Sequence, residues 1–188
     1  YGSAIHRTPC FLRKNMIAEA IQFAEQNEEQ QAFPLIAKEY IKVNPNAALE
    51  WVKTLNSEIQ FYSMVEIVKG TQNPETAKQL IESMRKEVRG LDSNLKKLLI
   101  CAKLMVAFDV KRAIEFTNHI NDDSLKSEAL IFILSEKSVC NTPETLNLHN
   151  NVLDVLSNSN PGGVLNIYNK GKAYIHLAKA LHNLNTTK

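Results

Sequence analysis

Glycine and proline are scarce in this chain, six of each in 188 residues, about half the usual share. So few turn formers argue against an all-β fold, against collagen and against a low-complexity linker. Cysteine is scarce too. Cys10, Cys101 and Cys140 are an odd number at wide spacing, with no CxxC pair. That pattern offers neither a zinc ribbon nor a thioredoxin-type redox site, and it makes a disulfide-stapled scaffold a poor reading. The thiols read as small packed hydrophobes in a reducing, cytoplasmic compartment. The longest uncharged apolar run, Ala129 to Leu134, is far below the roughly 20 residues of a spanning helix. Tyr1 to Leu12 holds no apolar block of signal type. Neither GxGxxG nor the P-loop pattern occurs, and Gly162-Gly163 follows no strand, so no nucleotide site is indicated. Neither sign of charge dominates: 22 basic minus 20 acidic residues gives +2, which commits the chain to neither nucleic acid nor membrane.

What remains is ordinary globular composition, 44% hydrophobic and 22% charged. At about 100 to 200 residues per domain the length predicts one domain. It spans residues 15–188, behind a lead-in of residues 1–14.

The chain repeats itself. Ala20-Ile21-Gln22-Phe23, Ala48-Leu49-Glu50-Trp51, Ala77-Lys78-Gln79-Leu80 and Ala113-Ile114-Glu115-Phe116 start in the same helical phase. Apolar residues then follow at offsets 0, +3, +4 and +7: Ala48, Trp51, Val52, Leu55; Ala77, Leu80, Ile81, Met84; Ala113, Phe116, Thr117, Ile120. This is one face of an α-helix. Asn44-Pro45, Asn73-Pro74 and Asp109 lie three to four residues upstream of the Ala, as N-caps with proline at the first helical position should. Sixteen residues after the Ala a second helix begins its apolar face, at Ile36-Ala37, Met64-Val65 and Ala129-Leu130. The third unit reaches Ile100-Cys101 with seven extra residues, placed in a loop around Arg89-Gly90-Leu91-Asp92. The intervals between the Ala positions are 28, 29 and 36. A more degenerate fifth hairpin follows. Thr142-Pro143 opens a helix through Val152, Leu153 and Leu156, Asn158 to Gly163 break it, and Val164 to Leu184 form the last helix.

Ten helices in five antiparallel hairpins, each unable to bury its own apolar face, predict an all-α superhelix, an α-solenoid. Asn44-Pro45 through Trp51 resembles the junction between tetratricopeptide repeats. Ala77 to Met84, Gly90-Leu91-Asp92 and then Ala113 are similar to a pentatricopeptide repeat. The class of tetratricopeptide-like or HEAT-like hairpins implies a right-handed superhelix. The corners that carry the likeness are short, so no family's functional residues are implied.

Candidate chemistry is thin. His119, close to Asp122 and Asp123, sits at a predicted helix end, where a histidine suits the negative terminus and Asn or Asp caps the next helix. His149 falls in an alanine slot and reads as a partly buried structural histidine. His176 and His182 are six apart, the wrong spacing for two metal ligands on one helical face. Cys101 shares an apolar slot with Ala37, Val65 and Leu130. Glu28-Glu29 and Asp122-Asp123 read as adjacent surface residues pointing to different sides of a helix. No catalytic residue, metal or cofactor is expected, and an enzyme built on His119 or His149 is the weakest reading.

Charge is distributed unevenly. Residues 18–75 carry nine acids and four lysines, net −5, and residues 76–112 carry nine bases and four acids, net +5. The expected function is a non-enzymatic binding module or scaffold that grips a protein or peptide partner, with no role for a membrane. The alternative is single-stranded RNA binding by the basic stretch of residues 78–112. Arg85, Lys86, Arg89, Lys96, Lys97 and Lys103 are the candidate contacts for either partner.

Overall fold

The computed structural model describes residues 16–88, 94–136 and 144–158, together with 167, 168, 170–172, 174–176, 178, 179 and 182. Among the described residues all regular structure is helical and no strand occurs. The expected insertion around Arg89 to Asp92, the break after Asn158 and the thiols of Cys10 and Cys140 lie outside them. The helices group into two compact units, one ending at Met84 and one beginning at Arg85.

The first unit begins with α1 (Ile17–Gln26), which buries Ile17, Ala20 and Ala24. A Schellman motif ends it: the Glu29 N–H donates to the Ala24 carbonyl and the Glu28 N–H to that of Glu25, with Glu28 at φ 56°. The Glu28-Glu29 pair therefore lies in this turn, not along a helix as the sequence suggested. A 3-10 turn (Gln30–Ala32) leads into α2 (Phe33–Val43), followed by α3 (Pro45–Lys53), α4 (Ser57–Gly70) and α5 (Pro74–Glu87), whose last residues, from Arg85 on, belong to the second unit. The expected caps are present. The Asn44 side chain accepts from the Ala47 N–H at 3.1 Å, and Asn73 from Glu75 and Thr76 at 3.0 and 3.1 Å. Asn56 caps α4 by accepting from the Ile59 N–H at 3.0 Å, and its amide donates to the Gln30 side chain at 2.8 Å.

Two clusters form this unit's core. One joins Ile17, Ala20 and Ala24 to Ala32, Phe33 and Ile36; the other joins Ala37 and Ile41 to Ala48, Val52 and Ile67. Trp51 borders both, its ring 5.7 Å from Phe33 edge-to-face and 6.1 Å from Tyr40. The end of α4 presses on α2. A Cβ built on Gly70 would stand 2.7 Å from Ile41 Cγ2 and 3.2 Å from the Lys38 carbonyl oxygen.

The second unit holds α6 (Leu95–Met105), α7 (Val110–Thr117), α8 (Asp123–Ser135) and α9 (Glu144–Asn158). The described residues between 167 and 182 are helical as well. Asp109 caps α7 by accepting from the Arg112 N–H at 2.9 Å, and Asp122 caps α8 by accepting from Leu125 at 2.8 Å. Two buried polar residues bond their own helix. The Thr117 hydroxyl donates to the Ile114 carbonyl at 2.7 Å and Ser127 to that of Asp123 at 2.6 Å.

The four repeat alanines, Ala20, Ala48, Ala77 and Ala113, are all fully buried, and so are Val52 and Ile81 at offset +4. In the second helices the phase differs by one residue. Met64 and Ile100 are half-buried where Ile36 and Ala129 are buried, whereas Ala37, Val65, Cys101 and Leu130 are buried in all four. The helices carry different apolar arcs: α4 buries Phe61, Val65 and Val68 on one side and Ser63 and Ile67 on the opposite side, while α2 buries a single stripe.

Two substitutions should move stability in opposite directions. Glu28→Gly removes a left-handed conformation from a residue with a side chain and should add up to about 1 kcal/mol. Gly70→Ala gains about 1 kcal/mol of helix propensity but overpacks Ile41 at about 1–3 kcal/mol, a net loss of up to about 2 kcal/mol. Urea-unfolding midpoints of both variants check this, and a stabilised Gly70→Ala would refute the close approach.

Candidate functional site

Of the six predicted contact residues five are described, and three of these, Arg85, Lys97 and Lys103, are half-buried. Arg85 is half-buried, its guanidinium carbon 5.1 Å from the centroid of the buried Phe116 ring. Arg112 approaches the same ring at 5.3 Å and pairs with Glu115 at 2.5 Å. Lys103 reaches from α6 to Glu128 on α8 at 2.5 Å, with its ammonium 5.4 Å from the Phe132 ring centroid. Lys97 is half-buried, Lys86 and Lys96 are exposed, and Arg89 lies outside the described residues. The structure thus brings together Arg85 and Arg112, two cations on one aromatic ring.

The acidic stretch is locally compensated as well. Lys42 pairs with Glu39, Lys53 with Glu50 and Lys69 with Glu66, each three residues apart on its own helix, and Lys38 stands 3.9 Å from Glu66. In the basic stretch Lys78 pairs with Glu75 in the same way. Such exposed pairs contribute little to stability, but each places a carboxylate beside a cation and weakens the field of a linear charge block.

The two candidate histidines differ in burial. His119 is exposed just past the end of α7, its N–H donating to the Phe116 carbonyl. His149 is 1% exposed, buried more deeply than the sequence suggested because Leu148 and Val152 on α9 are buried with it. Cys101 is buried in its apolar slot. Among the described residues no group of three His, Cys, Asp or Glu side chains converges as a metal site would. None of the described helices is long and apolar enough to cross a membrane.

Sequence reasoning missed two features of the chain's last part. His176 lies near His149, an approach that no spacing rule could reveal because it joins two helices. Burial, and then the charges of Lys179, His149 and Lys172, push the His176 imidazole below its ordinary 6.5. The second feature is a run of exposed large apolar side chains, Ile167, Tyr168, Tyr174 and Ile175. Its signal was in the sequence, as two apolar pairs seven residues apart.

The His176 shift fixes a sign. An unfolded chain takes up the proton first, so the stability that depends on neutral His176 is intact above pH 6.5. It is lost as the pH falls through the lower folded value. Thermal midpoints on either side of that pH should fall on acidification for the wild type. They should fall less for His176→Gln, whose side chain stays neutral; equal falls would sink the assignment.

Compared with models of known families, with curated proteins and with solved structures, the chain matches none.

Proposed function

We propose that this chain is a helical-repeat binding module, a non-enzymatic scaffold of stacked hairpins that grips a protein partner in a reducing intracellular compartment. One observation carries the reading. One contact within each unit spans the interval of the sequence repeat. Lys38 stands 3.9 Å from Glu66, 28 residues on, as Ile36 precedes Met64 by 28, and Lys103 approaches the Phe132 ring, 29 on, as Ile100 precedes Ala129 by 29. Equivalent positions of successive repeats touching one another is what stacked repeats produce, and stacked repeats present extended surfaces suited to partner binding. The handedness of that stack is part of the proposal and follows the class the repeats resemble.

Single-stranded RNA held by residues 78–112 is the reading to beat. Glu75, Glu115 and Glu128 beside Lys78, Arg112 and Lys103 stand against it, because each would repel a phosphate that came to its cation. The test is affinity capture with the tagged chain from lysate, with and without ribonuclease. Alongside it, anisotropy measurements use labelled single-stranded RNA at about 50 and about 200 mM salt. Protein partners retained after ribonuclease, with no micromolar RNA binding at the lower salt, are expected. RNA binding that weakens about tenfold or more across that range, with partners lost on ribonuclease treatment, would overturn the proposal.

A further inference from the structure

Ile167, Tyr168, Tyr174 and Ile175 are 56–65% exposed on a helical segment. At about 3.6 residues per turn they share one side of that helix with Gly171 and Ala178, which are exposed between and beyond them. Large and small positions recur every seven residues: Ile167 with Tyr174, Tyr168 with Ile175, Gly171 with Ala178. This is how one helix receives another. Large side chains form the rims, and small ones let a second backbone come close. The floor is open at Gly171, where a Cβ would meet nothing within 4 Å.

Charge then selects the partner. From Val155 to Lys188 the chain contains no Asp or Glu, while it carries Lys170, Lys172, Lys179 and Lys188. Lys172 and Lys179, both exposed and seven residues apart, follow one rim of the apolar stripe. The Lys172 ammonium stands 4.4 Å from the Tyr168 ring centroid, which holds a cation at that rim. Two copies of this helix face to face would repel, so a second copy of the same segment is a poor occupant. A bilayer is a poor one too, since a floor of glycine and alanine gives little apolar bulk to insert.

We propose that this face docks an acidic amphipathic helix of a protein partner. The helix lies along the Gly171–Ala178 valley with carboxylates against Lys172 and Lys179. The inference rests on the binding-module reading and supplies the chemistry of the partner.

The experiment is anisotropy of a labelled peptide of about three heptads, leucine and alanine on one face and glutamate elsewhere, against a scrambled peptide of the same composition. The amphipathic peptide should bind at least about tenfold tighter, and more weakly as salt rises from about 50 to about 500 mM. Gly171→Leu fills the valley where the structure leaves space, so it should weaken binding about tenfold or more without lowering the melting temperature. Lys172→Glu with Lys179→Glu should lose the acidic peptide and accept a basic one of the same pattern. Equal binding of the two peptides, or binding that survives Gly171→Leu, overturns the proposal. Single-stranded RNA or phosphatidylserine vesicles binding through these same residues in preference to the peptide would do so too, and so would a dimer in sedimentation that Gly171→Leu dissociates. A protein captured after ribonuclease and retained by Gly171→Leu, with the peptide inert, retires this face and leaves the module. No protein capture from either chain retires the module itself.

Discussion

The core of both units depends on keeping four small side chains out of water. Ala20, Ala48, Ala77 and Ala113 are fully buried, each on the apolar face of a first helix. A larger side chain there would push helices apart at a cost of about 1–3 kcal/mol. The residue four positions later shares that burial, as Ala24, Val52, Ile81 or Thr117. Thr117 shows how strict the slot is, since its hydroxyl must bond back to its own helix to be accepted there. Gly70 states the same constraint from the other side, at a helix end pressed against Ile41.

The sequence made first helices legible because their signals are local. Asn44, Asn73 and Asp109 hold the cap positions that their place before the alanines predicts, and the 3.6-residue period names the buried face. Asp122 caps its helix as the reading of that segment expects. Asn56 caps just as well, but it went unread because it opens a second helix, inside a repeat. The second helices were legible as helices and less so in phase. Their apolar arcs are wide, so several registers satisfy the pattern, and the neighbours that decide between them are far away in sequence. That is why Met64 and Ile100 came out half-buried while the next residue in each unit is buried.

The charged stretches taught a similar lesson. A net charge summed along the chain becomes a surface only if the side chains point the same way, and two of these cations have partners far along the chain. Arg85 turns to Phe116, 31 residues on, and Lys103 crosses to Glu128, 25 residues on. Neither approach has a short-range signature. The apolar stripe near the C-terminal end had one. Its seven-residue recurrence was readable, but a stripe that faces solvent and a stripe that faces a core look alike until burial separates them.

Trp51, the sole tryptophan of the chain, stands against Phe33 and Tyr40 at the border of both core clusters of the first unit. Its emission therefore reports the packing of that unit alone, and the second unit, with no tryptophan, is silent to it. Far-ultraviolet circular dichroism sees the helices of both. Unfolding curves from the two probes superimpose only if the units melt as one cooperative body. A pair of curves that separate would time the loss of each unit within a single sample, with no label and no substitution.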